Sequence, residues 1–171
     1  MFNPSKYKHP KDADPEYDKS LDDKRAFKYC IHLIAKQDYS KYKLTKKLKS
    51  KGYSQQVVGI CVQKLLDLDY LREDDYTRMR ILGIIKKGYG KRYVIQKCSQ
   101  EKLIVDEVLI DEILEQEEIC MDGILGYQVE KRTRNHNFDE MPQDVKYKTI
   151  DKIRRQLFSR GFDLEAIKRH I

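Results

Sequence analysis

Tryptophan is absent from this sequence, and its 171 residues include only eight glycines, four prolines and four cysteines. Folds built from many strands and tight turns are typically richer in glycine and proline, so this scarcity disfavours an all-β domain. No apolar run approaches the roughly 18 residues that a membrane-spanning helix needs. The first residues also lack the apolar core of a secretory signal. We therefore expect a cytoplasmic, mainly helical protein with no membrane partner.

The four cysteines are too widely spaced to form a zinc motif. They are Cys30, Cys61, Cys98 and Cys120, and three of them lie among apolar residues at helical spacing. Disulfide frameworks are typical of small secreted chains, whereas intracellular chains keep their thiols reduced. We interpret these cysteines as reduced core thiols.

Residues with catalytic chemistry are not gathered into a recognisable motif. The four histidines are scattered and show no metal-ligand spacing. Gly88 and Gly90 lack the third glycine of a dinucleotide-binding loop, and no phosphate-binding lysine loop occurs. Asp74 and Asp75 suit the first turn of a helix, where the helix dipole favours acids. The sequence therefore predicts a binding protein with no catalytic residue, metal or cofactor.

The clearest local pattern is a helix–glycine–helix unit at residues 40–65. Ser40 can cap the first helix through its hydroxyl, and Ser54 can cap the second. Gly52 lies between them, where a left-handed residue favours glycine. A similar order of leucine, basic residue, glycine, aromatic residue and capping residue returns at 157–167.

Apolar spacing predicts helices along most of the chain, and no sustained alternation indicates a strand. Corresponding points recur about fifty residues apart, as in tandem helical repeats. We predict three three-helix repeats, at 23–71, 72–118 and 119–171, after a flexible tail at 1–22. Because each repeat would contact only its neighbours, the predicted all-α body is elongated and curved. The alternative for the tail is an arm whose lysines touch an anionic partner.

The same spacing assigns inward faces to individual helices. One predicted helix turns Tyr76, Met79 and Leu82 inward, and another turns Val108, Leu109, Ile113 and Leu114 inward. These side chains are expected to lie in the cores of the repeats.

Charges are segregated along the chain, whose net charge is +7. Residues 41–51 include six lysines and no acid, residues 78–97 include seven basic residues and no acid, and 146–169 is again basic. Residues 101–118 reverse the sign, with eight acids and one lysine. A single basic run is usually a solvated helix face, but like charges on one helix repel each other. Either an anionic partner or the acidic stretch would offset that repulsion, and the sequence leaves both open.

Three motifs, in this order and spacing, resemble the RecX family of regulatory proteins. The first consists of Ser40-x-x-x-Leu44-x-x-Lys47-Leu48-x-x-Lys51-Gly52, Leu65 and Leu71-x-x-Asp74-Asp75-Tyr76. The second is Gly90-x-x-x-Val94-x-x-x-Cys98. The third and most specific is Leu157-Phe158-Ser159-Arg160-Gly161-Phe162-Asp163-x-x-x-Ile167. The chain departs from the family pattern at Lys43, where glutamate is usual, and at Glu101-Lys102, where Lys-Gly is usual.

The resemblance implies a cytoplasmic modulator of the RecA recombinase. Members of this family lodge in the groove of the RecA–DNA filament and restrain strand exchange and ATP hydrolysis, and some bind DNA themselves. We expect a monomer whose partners are the RecA filament and the DNA within it. The candidate contact residues are all basic: Lys43, Lys46, Lys47, Lys51, Arg92, Arg154, Arg155 and Arg160.

Two other hypotheses stay open. The three-helix units resemble helix-turn-helix topology, so the chain could be a stand-alone DNA-binding module whose affinity falls steeply with salt. The basic runs could instead bind an acidic protein surface as a scaffold. Stronger binding to the RecA filament than to bare DNA would favour the regulator.

Overall fold

The structure, a computed structural model, describes residues 19–171, and every regular element in that range is a helix. The helices are α1 (Lys19–Ile34), α2 (Lys41–Ser50), α3 (Gln55–Asp67), α4 (Glu73–Ile85), α5 (Lys91–Gln100), α6 (Glu107–Gln116), α7 (Met121–Thr133), α8 (Gln143–Ser159) and α9 (Leu164–His170). No strand occurs between residues 19 and 171, which confirms the predicted all-α class. None of the described helices is long and apolar enough to cross a bilayer.

The described residues divide into two compact units, the first ending at Thr77 and the second spanning Arg78–Ile171. The boundary falls within α4. The division into three repeats, at 23–71, 72–118 and 119–171, remains a prediction.

Most of the predicted tail at 1–22, including the lysines of the alternative arm, lies outside the described residues. Helix α1 begins at Lys19, so the last four residues of that predicted tail belong to the helix. Asp22 is buried in its first turn, where the positive end of the helix dipole favours a carboxylate.

Helices α1, α2 and α3 surround the apolar core of the first unit. Helix α2 contributes the fully buried Leu44 and Leu48, which lie four residues apart on one face. They pack with Ala26 and Cys30 of α1 and with Leu65 of α3. Truncating a fully buried leucine to alanine typically costs about 2–5 kcal/mol, so these contacts fix which side of α2 remains outside.

The ends of α2 and α3 follow the predicted pattern. The Ser40 hydroxyl accepts a hydrogen bond from the Lys43 backbone N–H at 3.2 Å. Ser54 accepts one from the Val57 N–H, also at 3.2 Å. Gly52 has a φ of +89°, in the left-handed region that favours glycine. These local interactions stop α2 and restart the chain as α3.

In the second unit, the start of α5 lies against the end of α8 so closely that side chains are excluded. A Cβ built on Gly90 would lie 2.2 Å from the Gly161 carbonyl oxygen. A Cβ on Gly161, whose φ is +88°, would lie 2.4 Å from the Tyr93 nitrogen. The Gly90 N–H donates to the Arg160 carbonyl at 2.9 Å, and the Arg92 N–H donates to the Gly161 carbonyl at 3.3 Å. Both glycines are therefore required by close backbone packing.

Two predictions of inward-facing residues are wrong. Met79 is 60% exposed and Val108 is 66% exposed. Instead, Ile81, Ile85 and Ile110 are fully buried. Tyr76, Leu82 and Ile113 are buried as predicted. Apolar residues occur on more than one side of α4 and α6, so their spacing alone does not determine every inward position.

The structure buries Cys30, Cys61 and Cys98 and leaves Cys120 exposed, with all four thiols free. Loss of hydration disfavours a buried thiolate. Burial accordingly raises the pKa of Cys30 to about 12 and that of Cys61 to about 11. It also raises the pKa of Cys98. These values agree with core thiols.

We expect iodoacetamide to alkylate Cys120 in the folded protein at neutral pH and to spare the three buried cysteines. The thiolate is the reactive form, and burial blocks both its formation and its access to the reagent. Mass spectrometry of digested protein measures the modification, and prior unfolding in guanidinium should make all four thiols reactive. Equal alkylation rates for Cys30 and Cys120 would contradict this arrangement of the core.

Candidate partner-binding surface

Helix α2 presents a lysine-rich face with no acidic residue in its own sequence. Because Leu44 and Leu48 occupy the core side, Lys46 and Lys47 lie on the exposed side. Within residues 19–171, neither lysine has an ion pair or a side-chain hydrogen bond. The negative C-terminal end of the helix dipole offsets part of their repulsion. An anionic partner would offset the remainder.

The other two candidates from this run are held by tyrosines of the first unit. Lys43 Nζ donates to Tyr76 Oη at 2.7 Å and lies 5.5 Å from the centroid of that ring. Lys51 Nζ lies 5.6 Å from the Tyr29 ring centroid. Both lysines are half-buried, so they help fix α2 in place and offer less charge to a partner.

The second basic run is partly neutralised within the second unit. Three ion pairs join its residues to the acidic stretch: Arg78–Glu117 at 2.6 Å, Arg80–Glu101 at 2.7 Å and Lys91–Asp111 at 2.5 Å. The Glu101 side chain is only 9% exposed, so its pair is poorly hydrated and depends on its partner. Glu101 is also one of the departures from the family pattern. The acidic stretch thus supplies a counter-charge for three of the seven basic residues of this run.

The exposed side of α8 carries a basic strip. Lys148, Lys152 and Arg155 line an open groove of about 450 Å³. Arg155 pairs with Asp151 at 2.5 Å, and Lys148 lies 3.6 Å from Asp144. Both pairs are within one helical turn and well exposed, so each is worth only about 0.3–0.5 kcal/mol. Lys148 and Lys152 are not among the contact residues predicted from the sequence, although their spacing of four residues places them on one face of a helix.

Arg160, by contrast, is a structural residue of the second unit. Its Nε donates to the Gly88 carbonyl at 3.0 Å, and its Nη2 donates to the Lys87 carbonyl at 2.9 Å. The guanidinium also lies 4.1 Å from the Tyr89 ring centroid. Arg160, which directly follows α8, therefore supplies hydrogen-bond donors to two carbonyl groups just beyond the end of α4.

Arg92 and Arg154 also bind carbonyl groups of the protein itself. Arg92 Nη2 donates to the Phe158 carbonyl at 2.6 Å, and the guanidinium stacks 3.8 Å from the ring centroid of the same residue. Arg154 Nε donates to the Ile171 carbonyl at 3.0 Å. These contacts join α5 to α8, and α8 to the end of α9.

The candidates thus divide into two groups. Lys46, Lys47 and Arg155 are exposed without a strong intramolecular partner among residues 19–171, whereas the other five make contacts that order the fold. No group of histidine, cysteine, aspartate or glutamate side chains in the described part of the chain is arranged to hold a metal ion. The chemistry that this arrangement offers is recognition of an anionic surface.

Comparison with known proteins finds that this chain is similar to RecX regulatory proteins. A family profile described as the first three-helix domain of RecX matches residues 26–65, which include α2. Regulatory protein RecX of Legionella pneumophila is 29% identical over 148 residues, covering 85% of this chain and 91% of the relative. Regulatory protein RecX of Caldanaerobacter subterraneus subsp. tengcongensis is 24% identical over 152 residues, covering 87% and 70%.

Solved structures agree on the fold. The crystal structure of RecX from Lactobacillus salivarius matches with a TM-score of 0.69 at 16% identity, over 88% of this chain and 95% of that one. A second crystal structure of regulatory protein RecX matches with a TM-score of 0.68 at 17% identity, over 91% and 78%. At such low identity, these matches show the shared helical fold.

We expect Arg160→Ala to lower the free energy of unfolding by about 2 kcal/mol, because it removes two charge-assisted hydrogen bonds and a stacking contact. The matched variant Arg155→Ala should cost less than about 0.5 kcal/mol, since it removes only an exposed pair. Urea unfolding followed by circular dichroism measures both values. Equal stability of the two variants would contradict the structural role of Arg160.

Proposed function

The chain belongs to the RecX family, and from that premise we propose that it regulates the RecA recombinase by binding RecA–DNA filaments. The relatives are named regulatory proteins, which supports a modulator in preference to an enzyme. We further propose that binding lowers the ATP hydrolysis and strand exchange that the filament catalyses.

The observation that carries this proposal is the uncompensated charge of Lys46 and Lys47 on α2. Both are exposed and lack a described intramolecular counter-charge, whereas three residues of the basic run at 78–97 are paired with Glu101, Asp111 and Glu117. A RecA–DNA filament offers DNA phosphates together with protein carboxylates. Lysine ammonium groups attract both, and the attraction acts over about 8 Å at physiological salt.

The basic strip of α8 offers a second contact. Lys152 and Arg155 belong to the unit that follows Thr77, whereas Lys46 and Lys47 belong to the unit that precedes Arg78. A repetitive filament can bind two linked sites at once, so the combined affinity would exceed that of either surface alone. A regulator held at two points on the filament would resist the subunit movements that accompany ATP turnover.

A stand-alone DNA-binding module is the second candidate, and the α8 strip favours it. Lys148, Lys152 and Arg155 follow one exposed helix face, a common arrangement for phosphate contacts. The two functions predict different relative affinities. A regulator binds the filament more tightly than bare DNA, whereas a stand-alone DNA-binding module does not.

We expect the wild-type chain, at stoichiometric amounts, to lower the rate of RecA-catalysed ATP hydrolysis on single-stranded DNA. The variant Lys46→Glu/Lys47→Glu should need at least about tenfold more protein for the same effect, because attraction becomes repulsion at the contact. A matched variant, Lys24→Glu/Lys28→Glu, changes the net charge equally at two exposed residues of α1. It should act like the wild type.

Three results would count against the proposal. The wild type could leave the ATPase rate and filament length unchanged, or the α1 variant could lose as much effect as the α2 variant. The third result is equal affinity of the wild type for bare DNA and for the filament, which would favour the DNA-binding module.

A further inference from the structure

A groove on the second unit combines apolar and basic walls between α8 and α9. It encloses about 340 Å³ and is lined by Asp151, Arg154, Arg155, Phe158, Leu164 and Lys168, which we call the basic groove. Phe158 is 43% exposed even though Arg92 stacks on its ring, and Leu164 is 41% exposed. The groove therefore offers apolar area to a partner beside three basic side chains and one acid.

The charges of Arg155 and Lys168 in the basic groove are available to another molecule. Arg155 pairs with Asp151, and Lys168 pairs with Glu165 at 2.8 Å. Both contacts are between exposed side chains of one helix, and such pairs contribute little to stability. A carboxylate from a partner can replace them at low cost. The chemistry that fits is an apolar side chain flanked by acids.

The chain itself carries a segment with this chemistry, around the start of α6. We call Ile104, Glu107, Val108, Glu112 and Glu115 the acidic edge. Ile104 is 95% exposed and Val108 is 66% exposed. The three glutamates are exposed and form no ion pair among residues 19–171. Removing apolar surface from water is favourable, so covering Ile104 and Val108 would favour association.

We propose that the acidic edge of one copy of this chain docks into the basic groove of a second copy. The two surfaces complement each other in charge, and each pairs apolar residues with charged ones. Because the surfaces differ, the contact is head-to-tail, and every docked copy retains one free surface. Assembly can therefore continue beyond a dimer.

The contact is small, and small interfaces bind weakly. In dilute solution the chain would be monomeric, in agreement with the prediction from the sequence. Copies bound side by side on a polymer have a high effective concentration, which would allow a weak contact to form. The contact requires neither RecA nor DNA, so it can be tested on the chain alone.

Sedimentation velocity of the full chain without nucleic acid tests the proposal. The weight-average sedimentation coefficient should rise between about 5 and 500 µM, a range that detects weak association. The rise should shrink at high salt because the exposed charges are screened. Ile104→Ser should weaken association about tenfold by removing the most exposed apolar side chain of the acidic edge. Ile60→Ser, at a 46% exposed position in the first unit, is the matched control and should have no effect.

Charge reversal identifies the partners. Glu112→Lys/Glu115→Lys and Arg155→Glu/Lys168→Glu should each remain monomeric across the whole range. A one-to-one mixture of the two variants should associate again, because the unaltered edge of one variant meets the unaltered groove of the other, and the two reversed surfaces also have opposite charges. Both variants keep a net positive charge, starting from +7, so general attraction cannot explain a restored association. Circular dichroism checks that both variants fold.

Two outcomes would overturn the proposal. A wild type that is monomeric at every concentration would leave the basic groove to an acidic segment of a different protein. A mixture of charge-reversed variants that stays monomeric, beside a wild type that associates, would place the self-contact elsewhere on the chain.

Discussion

Repulsion between neighbouring lysines and arginines is the constraint on which the surface of this protein depends. A counter-charge stabilises each basic run, and the source of that counter-charge differs among the three runs. Three residues of the run at 78–97 are paired with acids of the 101–118 stretch, including the nearly buried Glu101. The strip on α8 has weak partners within its own helix. Lys46 and Lys47 on α2 have no partner among the described residues. The least compensated surface is therefore the best candidate for an external contact.

Basic residues in a family motif need not contact the partner. The most specific motif of the chain contains Arg160 and Gly161. Arg160 binds the carbonyl groups of Lys87 and Gly88, and Gly161 lies too close to Tyr93 to carry a side chain. This motif thus packs the end of α8 against the start of α5. Its conformation positions the elements on which the exposed strip of α8 and the basic groove are built.

Local chemistry made much of the fold predictable. The all-α class follows from apolar spacing, and the caps at Ser40 and Ser54 and the left-handed Gly52 follow from interactions within a few residues. On α4, Tyr76 and Leu82 are buried as their spacing predicted, but Met79 is exposed, because Ile81 and Ile85 also occupy apolar positions and pack inward instead. The structural roles of Arg92 and Arg160 could not be predicted from the sequence, since their hydrogen-bond partners lie more than sixty residues away along the chain. The lysine run of α2 could be read directly, but its lack of a distant acidic partner becomes visible only in the folded chain.

Lysine footprinting on the filament is the measurement that tests the central claim most directly. The chain is acetylated briefly, free or bound to RecA filaments on single-stranded DNA, and mass spectrometry gives the reactivity of each lysine. The account predicts that Lys46 and Lys47 lose reactivity several-fold on the filament. Lys91, whose counter-charge is Asp111 in the same unit, should react equally in both states. Protection of Lys91 with no change at Lys46 and Lys47 would contradict the account.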